Sequence, residues 1–401
     1  MTVRLYYQDP YLFHFRAKVL SCMPKDDSYE VLLDRTCFYP ESGGQPCDGG
    51  TLGGRPVVSV REEGDRLVHV LDAPVEEPEV EGLVDEQRRR DHMEQHTGQH
   101  LLSAAFLSAV GVPTVSMRIG EHESTIDLDR PELFAEDVEA AEDLANRVIR
   151  EDRAVHCFYP SLDELEQLTL RKRPAVEENV RIVRVPDYDC SPCGGTHCPS
   201  TGRVGVVKVR RWEHYKGMTR VTFLAGGRAL ADHRVKNDVI WDLTGLLSVR
   251  DRDLPARVKA LVDGHTELER QVRKLRADLL RHAAPELLAS APRLDDGTLL
   301  VVHQLAPGYQ AEDLKVLAEC IVRPGGAIFL GGLPGPKAQL LFARSADRQL
   351  DVGALLKKTV AAVGGKGGGT AAQAQGGVPG QSLGQALEAA RLDVRAAAQG
   401  G

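Results

Sequence analysis

The 401-residue sequence contains no apolar run near the ~20 residues that a membrane-spanning helix needs, so no membrane partner is expected. Its first residues, MTVRLYYQDPYLFHF, lack the basic, then apolar, then small-residue order of an export signal. Cysteine is scarce. Eight in the whole chain are too dilute for a disulfide scaffold. These absences together imply a reduced, cytoplasmic protein, and in that setting clustered cysteines bind metal or act chemically. Net positive charge is also lacking. A formal charge of −8 argues against a general nucleic-acid binder. Local charge says otherwise at Arg88–Arg90, at RKR (171–173), at KVRR (208–211), and at Arg270, Arg273, Lys274, Arg276 and Arg281. Each cluster alone reads as solvated surface. Several together allow a phosphate-binding surface, provided the acidic residues lie on another face.

The length suits two or three domains, each with its own core. Residues 1–85 are expected to be β-rich, because YEVLLDRTCFYP and RPVVSVREEGDRLVHVLD bunch or alternate strand formers between Gly, Pro and Asp. Residues 38–54, FYPESGGQPCDGGTLGG, hold six glycines and two prolines and predict a loop or a chain of tight turns. From about 86 the period changes. Met93, His96, His100, Leu101, Ala104 and Leu107 fall near one face of a helix that Gly111 and Pro113 end. A second amphipathic helix is predicted within 131–152, and strands return over 204–224. Further on, Val258, Leu261, His265, Leu268, Val272, Leu275, Leu279 and His282 keep heptad spacing, which suits a helical hairpin with 228–248 or an intermolecular coiled coil equally well. From 298, short apolar strands alternate with helical stretches. Residues 364–381, GGKGGGTAAQAQGGVPGQ, are expected to form a functional loop before a last helix.

Two half-motifs carry the chemistry. His96 and His100 are spaced i, i+4, which puts both imidazoles on one helix face and lets them share a Zn²⁺. The metalloprotease pattern H-E-x-x-H is absent, since Thr97 stands where the glutamate would be. In CSPCGGTHC (190–198), Cys193 and His197 put a thiolate and an imidazole on a glycine-permitted turn. His96, His100, Cys193 and His197 then form a set suited to tetrahedral zinc. The C-x-x-C of Cys190 and Cys193 also suggests a redox pair, but the glycines and Pro199 after it oppose the helix start such a pair needs. Cys190 and Cys198 read as neighbours. A third element is RTCFYPESGGQPCDGG (35–50), where Gly43 and Gly44 allow a backbone N–H cradle for an oxyanion or phosphate, flanked by Thr36 and Gln45.

In chain order, FYPESGGQPCDGG, HTGQHLLS and CGGTH…TGRVG…KGMTRVTFLAG resemble the editing domain of alanyl-tRNA synthetase and its free-standing relatives, the AlaX proteins, over roughly residues 1–230. The region holding GGKGGGTAAQAQGG resembles the C-terminal DHH-associated domain of the same enzymes. The resemblance implies an α+β architecture: a small β-barrel-like subdomain (1–85), an α/β zinc-containing editing domain (86–230), a helical hairpin or coiled coil (231–290), and a small α/β C-terminal domain (291–401). No aminoacylation domain precedes these motifs, as in a long-form AlaX. The implied activity is trans-editing hydrolysis of mischarged tRNA(Ala), chiefly Ser-tRNA(Ala), with Gly-tRNA(Ala) as a second substrate. A homodimer through the C-terminal region goes with it. The resemblance assigns zinc ligation to His96, His100, Cys193 and His197, reading of the serine hydroxyl to Thr36, a place near the ester to Gln45, and oxyanion contacts to the N–H groups of 42–45, Gly43 and Gly44 among them. Two rivals share these features: a threonyl-type module acting on Ser-tRNA(Thr), and a zinc-stabilised tRNA-binding factor without catalysis.

Overall fold

A computed structural model describes residues 2–174 and 179–399 of the chain. The chain divides into two compact units, Met1–Leu243 and Thr244–Gly401. Helices and strands are mixed throughout, an α+β arrangement.

The first unit begins with β1 (Val3–Arg4), β2 (His14–Lys25), β3 (Ser28–Leu33), β4 (Arg35–Thr36), β5 (Gly50–Leu52), β6 (Arg55–Glu63), β7 (Arg66–Leu71) and β8 (Glu79–Val84). Six of these close into a barrel in the order β2-β3-β7-β6-β5-β8. Period-two alternation fills it. Phe15 and Ala17 from β2, Val31 and Leu33 from β3, Val57 and Val60 from β6, and Val80 and Val84 from β8 all point inward. The short β4 pairs in parallel with β1, which leads the chain from the barrel into the 38–49 segment.

Helix α1 (Glu86–Ala105) follows directly. Asp85 caps it by accepting the Arg88 N–H at 3.0 Å. From His92 to Ala105 every residue except Glu94 is buried, although seven of the buried positions are polar. Such a helix runs through the centre of its unit. Arg89, fully buried, locks it to the barrel by pairing with the buried Asp48 carboxylate and donating to the Pro10 carbonyl at 2.8 Å. Removing one partner from a buried pair of this kind costs about 3–5 kcal/mol, because the other charge is left unpaired.

Around α1 lie β9 (Thr114–Ile119), β10 (Ser124–Leu128), α2 (Ala135–Arg150), β11 (His156–Phe158), α3 (Leu162–Gln167), β12 (Ile182–Val185), β13 (Asp189–Pro192), β14 (Val207–Tyr215) and β15 (Met218–Ala225). The four-stranded sheet β14-β15-β10-β9 packs against α1 and α2, with Met93, Leu101, Phe106, Ile126, Val138, Ala145 and Phe223 in the shared core. The separate sheet β11-β12-β13 carries the CGGTH segment at its end. Gln95 bonds both the N–H and the C=O of Ala225, each at 2.9 Å, and so fastens α1 to the strand beneath it. Helix α4 (Gly226–Leu247) leads out of β15.

The second unit is built on α5 (Leu254–Ser290), β16 (Leu299–Gln304), α6 (Ala311–Val322), β17 (Ala327–Leu333), β18 (Lys337–Arg344), α7 (Val352–Ala362), β19 (Lys366–Gly369), β20 (Gln373–Pro379) and α8 (Leu383–Gln399). Its sheet runs β16-β17-β18-β20-β19, with α5 and α6 on one face and α7 and α8 on the other. One expectation fails here. Residues 364–381 are not a loop but mostly a hairpin, β19 and β20, at the edge of this sheet. Side-chain period explains why: Ala374 and Val378 are buried two ranks apart on β20, and β18 pins that strand from Lys337↔Pro379 to Ala343↔Gln373. Tertiary pairing overrides the poor strand propensity of the glycines. Among the described residues no helix is long and apolar enough to cross a membrane.

Candidate metal centre

His96 and His100 project from one face of α1, and the segment after β13 brings Cys193 and His197 against them. One ligand atom from each lies within 4.8 Å of all the others. The Cys193 sulfur sits 3.3 Å from Nε2 of His96 and 3.3 Å from Nε2 of His197. A tetrahedron with zinc–ligand bonds of ~2.0–2.3 Å has edges of about 3.3–3.8 Å, so the two sulfur–nitrogen spacings and the three-imidazole, one-thiolate donor set fit that ion. Cys190 and Cys198 stand outside the group. Cys190 lies on β13, and Cys198 is buried in the core with its thiol pushed up to about 12 by burial.

Each imidazole is held from behind by its other nitrogen. Nδ1 of His100 faces the Asp189 carboxylate at 3.0 Å, and Nδ1 of His197 faces the Thr97 hydroxyl at 3.2 Å. Nδ1 of His96 meets Oε1 of Gln45 at 2.7 Å. This turns every Nε2 toward the cluster and fixes its tautomer, the usual supporting arrangement around a histidine-bound metal. Asp189 also receives Arg171 (2.7 Å) and Ser191 (3.0 Å).

The charges follow from these contacts. Burial alone would raise the Cys193 thiol, but His96, His197 and His100 outweigh it and hold the thiol well below its ordinary value. Burial drives the His197 imidazole down to about 3. Burial also pulls on His100, yet hydrogen bonds to Asp189 and Cys193 win and raise it. The thiolate at Cys193 and the lowered His197 suit a metal, whereas the raised His100 must give up its proton before Nε2 can ligate.

Gln45 is where the three sequence motifs meet. Its backbone ends the glycine turn, with Ser42 and Gln45 exchanging N–H···O bonds of 3.1 and 2.9 Å around Gly43 (φ +58°) and Gly44 (φ +84°). Positive φ at both central residues is a turn that glycine adopts without strain. The Gln45 side chain, fully buried, donates to the Thr196 hydroxyl (2.9 Å) and accepts the Thr196 N–H (3.1 Å) as well as facing His96. Gly195 leaves the room for this: a Cβ there would lie 2.1 Å from the His96 ring. Gln45 thus supports a ligand. The N–H groups of Gly43 and Gly44 have no hydrogen bond among the described residues, and both glycines are exposed.

Thr36 sits elsewhere. It is fully buried, its hydroxyl donating to Nε2 of His69 (2.9 Å) and accepting the Phe38 N–H (3.1 Å). No hydrogen bond joins it to the cluster among the described residues. The basic clusters also differ from expectation. Arg89 is buried against Asp48, Arg90 pairs with Glu86, Arg171 with Asp189, Lys208 with Glu142, Arg210 and Arg211 with Glu123, Arg270 with Glu267, and Arg281 with Asp278. Acidic residues interleave with the basic ones rather than keeping to a separate face. Sequence reasoning missed Asp189, Arg171 and Arg181. Asp189 stands next to Cys190, and a carboxylate four residues before a candidate ligand was the signal for it.

The model of the threonyl and alanyl tRNA synthetase second additional domain matches residues 180–222, the stretch that contributes Cys193 and His197. Over 392 residues the chain is 32% identical to the alanyl-tRNA editing protein AlaX-L of Pyrococcus horikoshii, covering 94% of this chain and 95% of that one. The chain belongs to the alanyl-tRNA editing family. Another family member, the alanyl-tRNA editing protein Aarsd1 of Bos taurus, is 32% identical over 75% of this chain and 71% of its own length. The alanine–tRNA ligase of Pyrococcus abyssi is 31% identical over 94% of this chain, which spans 42% of the ligase.

Proposed function

We propose that this chain is an aminoacyl-tRNA hydrolase that edits mischarged tRNA(Ala) in trans, cutting the ester of Ser-tRNA(Ala) and of Gly-tRNA(Ala) in the cytoplasm. The observation that carries the reading is the convergence on Gln45 of the glycine turn, the H-x-x-x-H helix and the CGGTH segment. Physical need supports it. A synthetic pocket separates amino acids that differ by one small group by only ~1–3 kcal/mol, so a second, hydrolytic site must supply the remaining accuracy.

His96, His100, Cys193 and His197 would hold a zinc ion, which supplies a Lewis-acidic centre for the substrate's ester end. Gln45, Asp189 and Thr97 keep the three imidazoles in the metal-binding tautomer. The exposed N–H groups of Gly43 and Gly44 are the donors available to an oxyanion. Sparing of Ala-tRNA requires a buried group that only the serine hydroxyl satisfies. Thr36 can take that part only by exchanging its bond to His69 for one to substrate. Homodimerisation through the C-terminal region is proposed on α5, whose Leu261, Leu268 and Leu275 are exposed at seven-residue spacing.

Deacylation of Ser-, Gly- and Ala-tRNA(Ala), with and without a chelator, tests the reading. Ser-tRNA(Ala) should be cleared and Ala-tRNA(Ala) spared, with activity lost on metal removal. Binding of Ser-tRNA(Ala) without turnover, or preference for Ser-tRNA(Thr), would sink it.

A further inference from the structure

The three imidazoles of the cluster are each 2% exposed, whereas Cys193 is half-buried and Gly194 is exposed. Access to the cluster therefore runs past Cys193 and Gly194. Tyr7 overhangs that opening: a Cβ at Gly194 would lie 3.4 Å from the Tyr7 hydroxyl. The Tyr7 ring meets Tyr159 edge to face, with centroids 6.3 Å apart and planes at 73°. Two guanidinium groups face the Tyr7 ring, Arg181 at 4.8 Å and Arg4 at 6.0 Å from its centroid. Arg181 is the same side chain that steadies the ligand segment, donating to the carbonyls of Cys193 (2.9 Å) and Gly195 (2.8 Å). Tyr6 and Tyr39 extend the group, so four of the chain's nine tyrosines gather beside the cluster. Tyr159, just past β11, is 52% exposed and leaves much of its ring to solvent.

An exposed ring backed by a second ring and by arginine is the chemistry that takes a nucleobase by stacking. A serine or glycyl group is too small and polar to use it. We infer that Tyr159, supported by Tyr7, Arg181 and Arg4, is a stacking platform for the 3′-terminal nucleobase of the RNA whose ester enters past Cys193 and Gly194. The inference rests on the proposed deacylase reading for the direction from which substrate comes. Stacking needs the ring and not the hydroxyl, which makes Tyr159 a positioning residue with a conservative rescue.

The test uses the zinc-loaded full chain and three RNAs: Ser-tRNA(Ala), a tRNA(Ala) minihelix ending in CCA, and the same minihelix with an abasic 3′-terminal nucleotide. Tyr159→Ala should weaken minihelix binding and raise KM for Ser-tRNA(Ala) by about 10-fold or more, with the effect falling on KM rather than kcat. Tyr159→Phe should restore both. Wild type and Tyr159→Ala should bind the abasic minihelix equally. Undiminished binding of the intact minihelix by Tyr159→Ala, failure of Tyr159→Phe to restore it, or a loss confined to kcat would each overturn the platform. Inertness of the wild type toward Ser-tRNA(Ala) would instead overturn the deacylase reading, and the binding arm would still decide the platform.

Discussion

Asp189 shows how much a residue outside the ligand set can control. It holds Nδ1 of His100, and Arg171 and Ser191 in turn hold its carboxylate. Losing such a support costs about 10–100-fold in metal affinity. Asp189→Ala should therefore bind zinc that much more weakly in chelator competition, while Cys190→Ser, one residue away but outside the cluster, should bind it normally. Equal affinities would remove Asp189 from the site. His69 makes a different case. Its Nδ1 faces the Val31 carbonyl and its Nε2 the Thr36 hydroxyl, so it is built into the barrel as a neutral ring, and burial lowers its pKa from 6.5 to about 4. The unfolded chain binds the extra proton between those values. Stability due to this group is present above pH 6.5 and is lost as pH falls toward 4. Wild type should lose roughly 2 kcal/mol more than His69→Gln between pH 7 and pH 5 in denaturant unfolding. Parallel curves for the two proteins would show that His69 does not titrate as a buried neutral ring.

At the scale of elements, what was legible depended on whether the signal was local. The helix bearing His96 and His100 and the glycine turn could be read because i, i+4 spacing and paired glycines act within a few residues. Thr36 could be picked from the sequence as a polar residue near the turn, but its partner His69 lies on β7, 33 positions on, and only barrel closure brings them together. Glycine-rich 364–381 misled for the same reason, since its strand identity comes from β18 and not from its own composition. The interior position of α1 was invisible too. Gln95 and Gln99 look like surface residues until the strand end at Ala225 and the Ser103 hydroxyl are seen to take their amides.

At the scale of the molecule, the charge clusters read more strongly in sequence than they stand in the fold, because most of the clustered arginines are answered by nearby carboxylates. The 37-residue α5 also belongs to this scale. Val258, Leu261, Leu268, Val272, Leu275 and Leu279 are 44–62% exposed along it in a single chain, with Val258, Val272 and Leu279 at one heptad core position and Leu261, Leu268 and Leu275 at the other. An exposed apolar seam at this spacing suits pairing with the same helix of a second copy. Sedimentation of the wild type should give a dimer, and Leu268→Asp with Leu275→Asp a folded monomer. A monomeric wild type at micromolar concentration would refute the pairing.

The span closed by Gln45 has a consequence for synthesis. Its partner Thr196 lies 151 residues downstream, and Cys193 follows His96 by 97. A ribosome adding ~5–20 residues per second has the barrel and α1 outside for about 5–20 s before the last ligand emerges. Throughout that interval the histidines of α1 have no sulfur beside them and Gln45 has no hydroxyl to hold. The polar face of α1 therefore waits for two later arrivals, the CGGTH segment for its histidines and then Ala225 of β15 for Gln95.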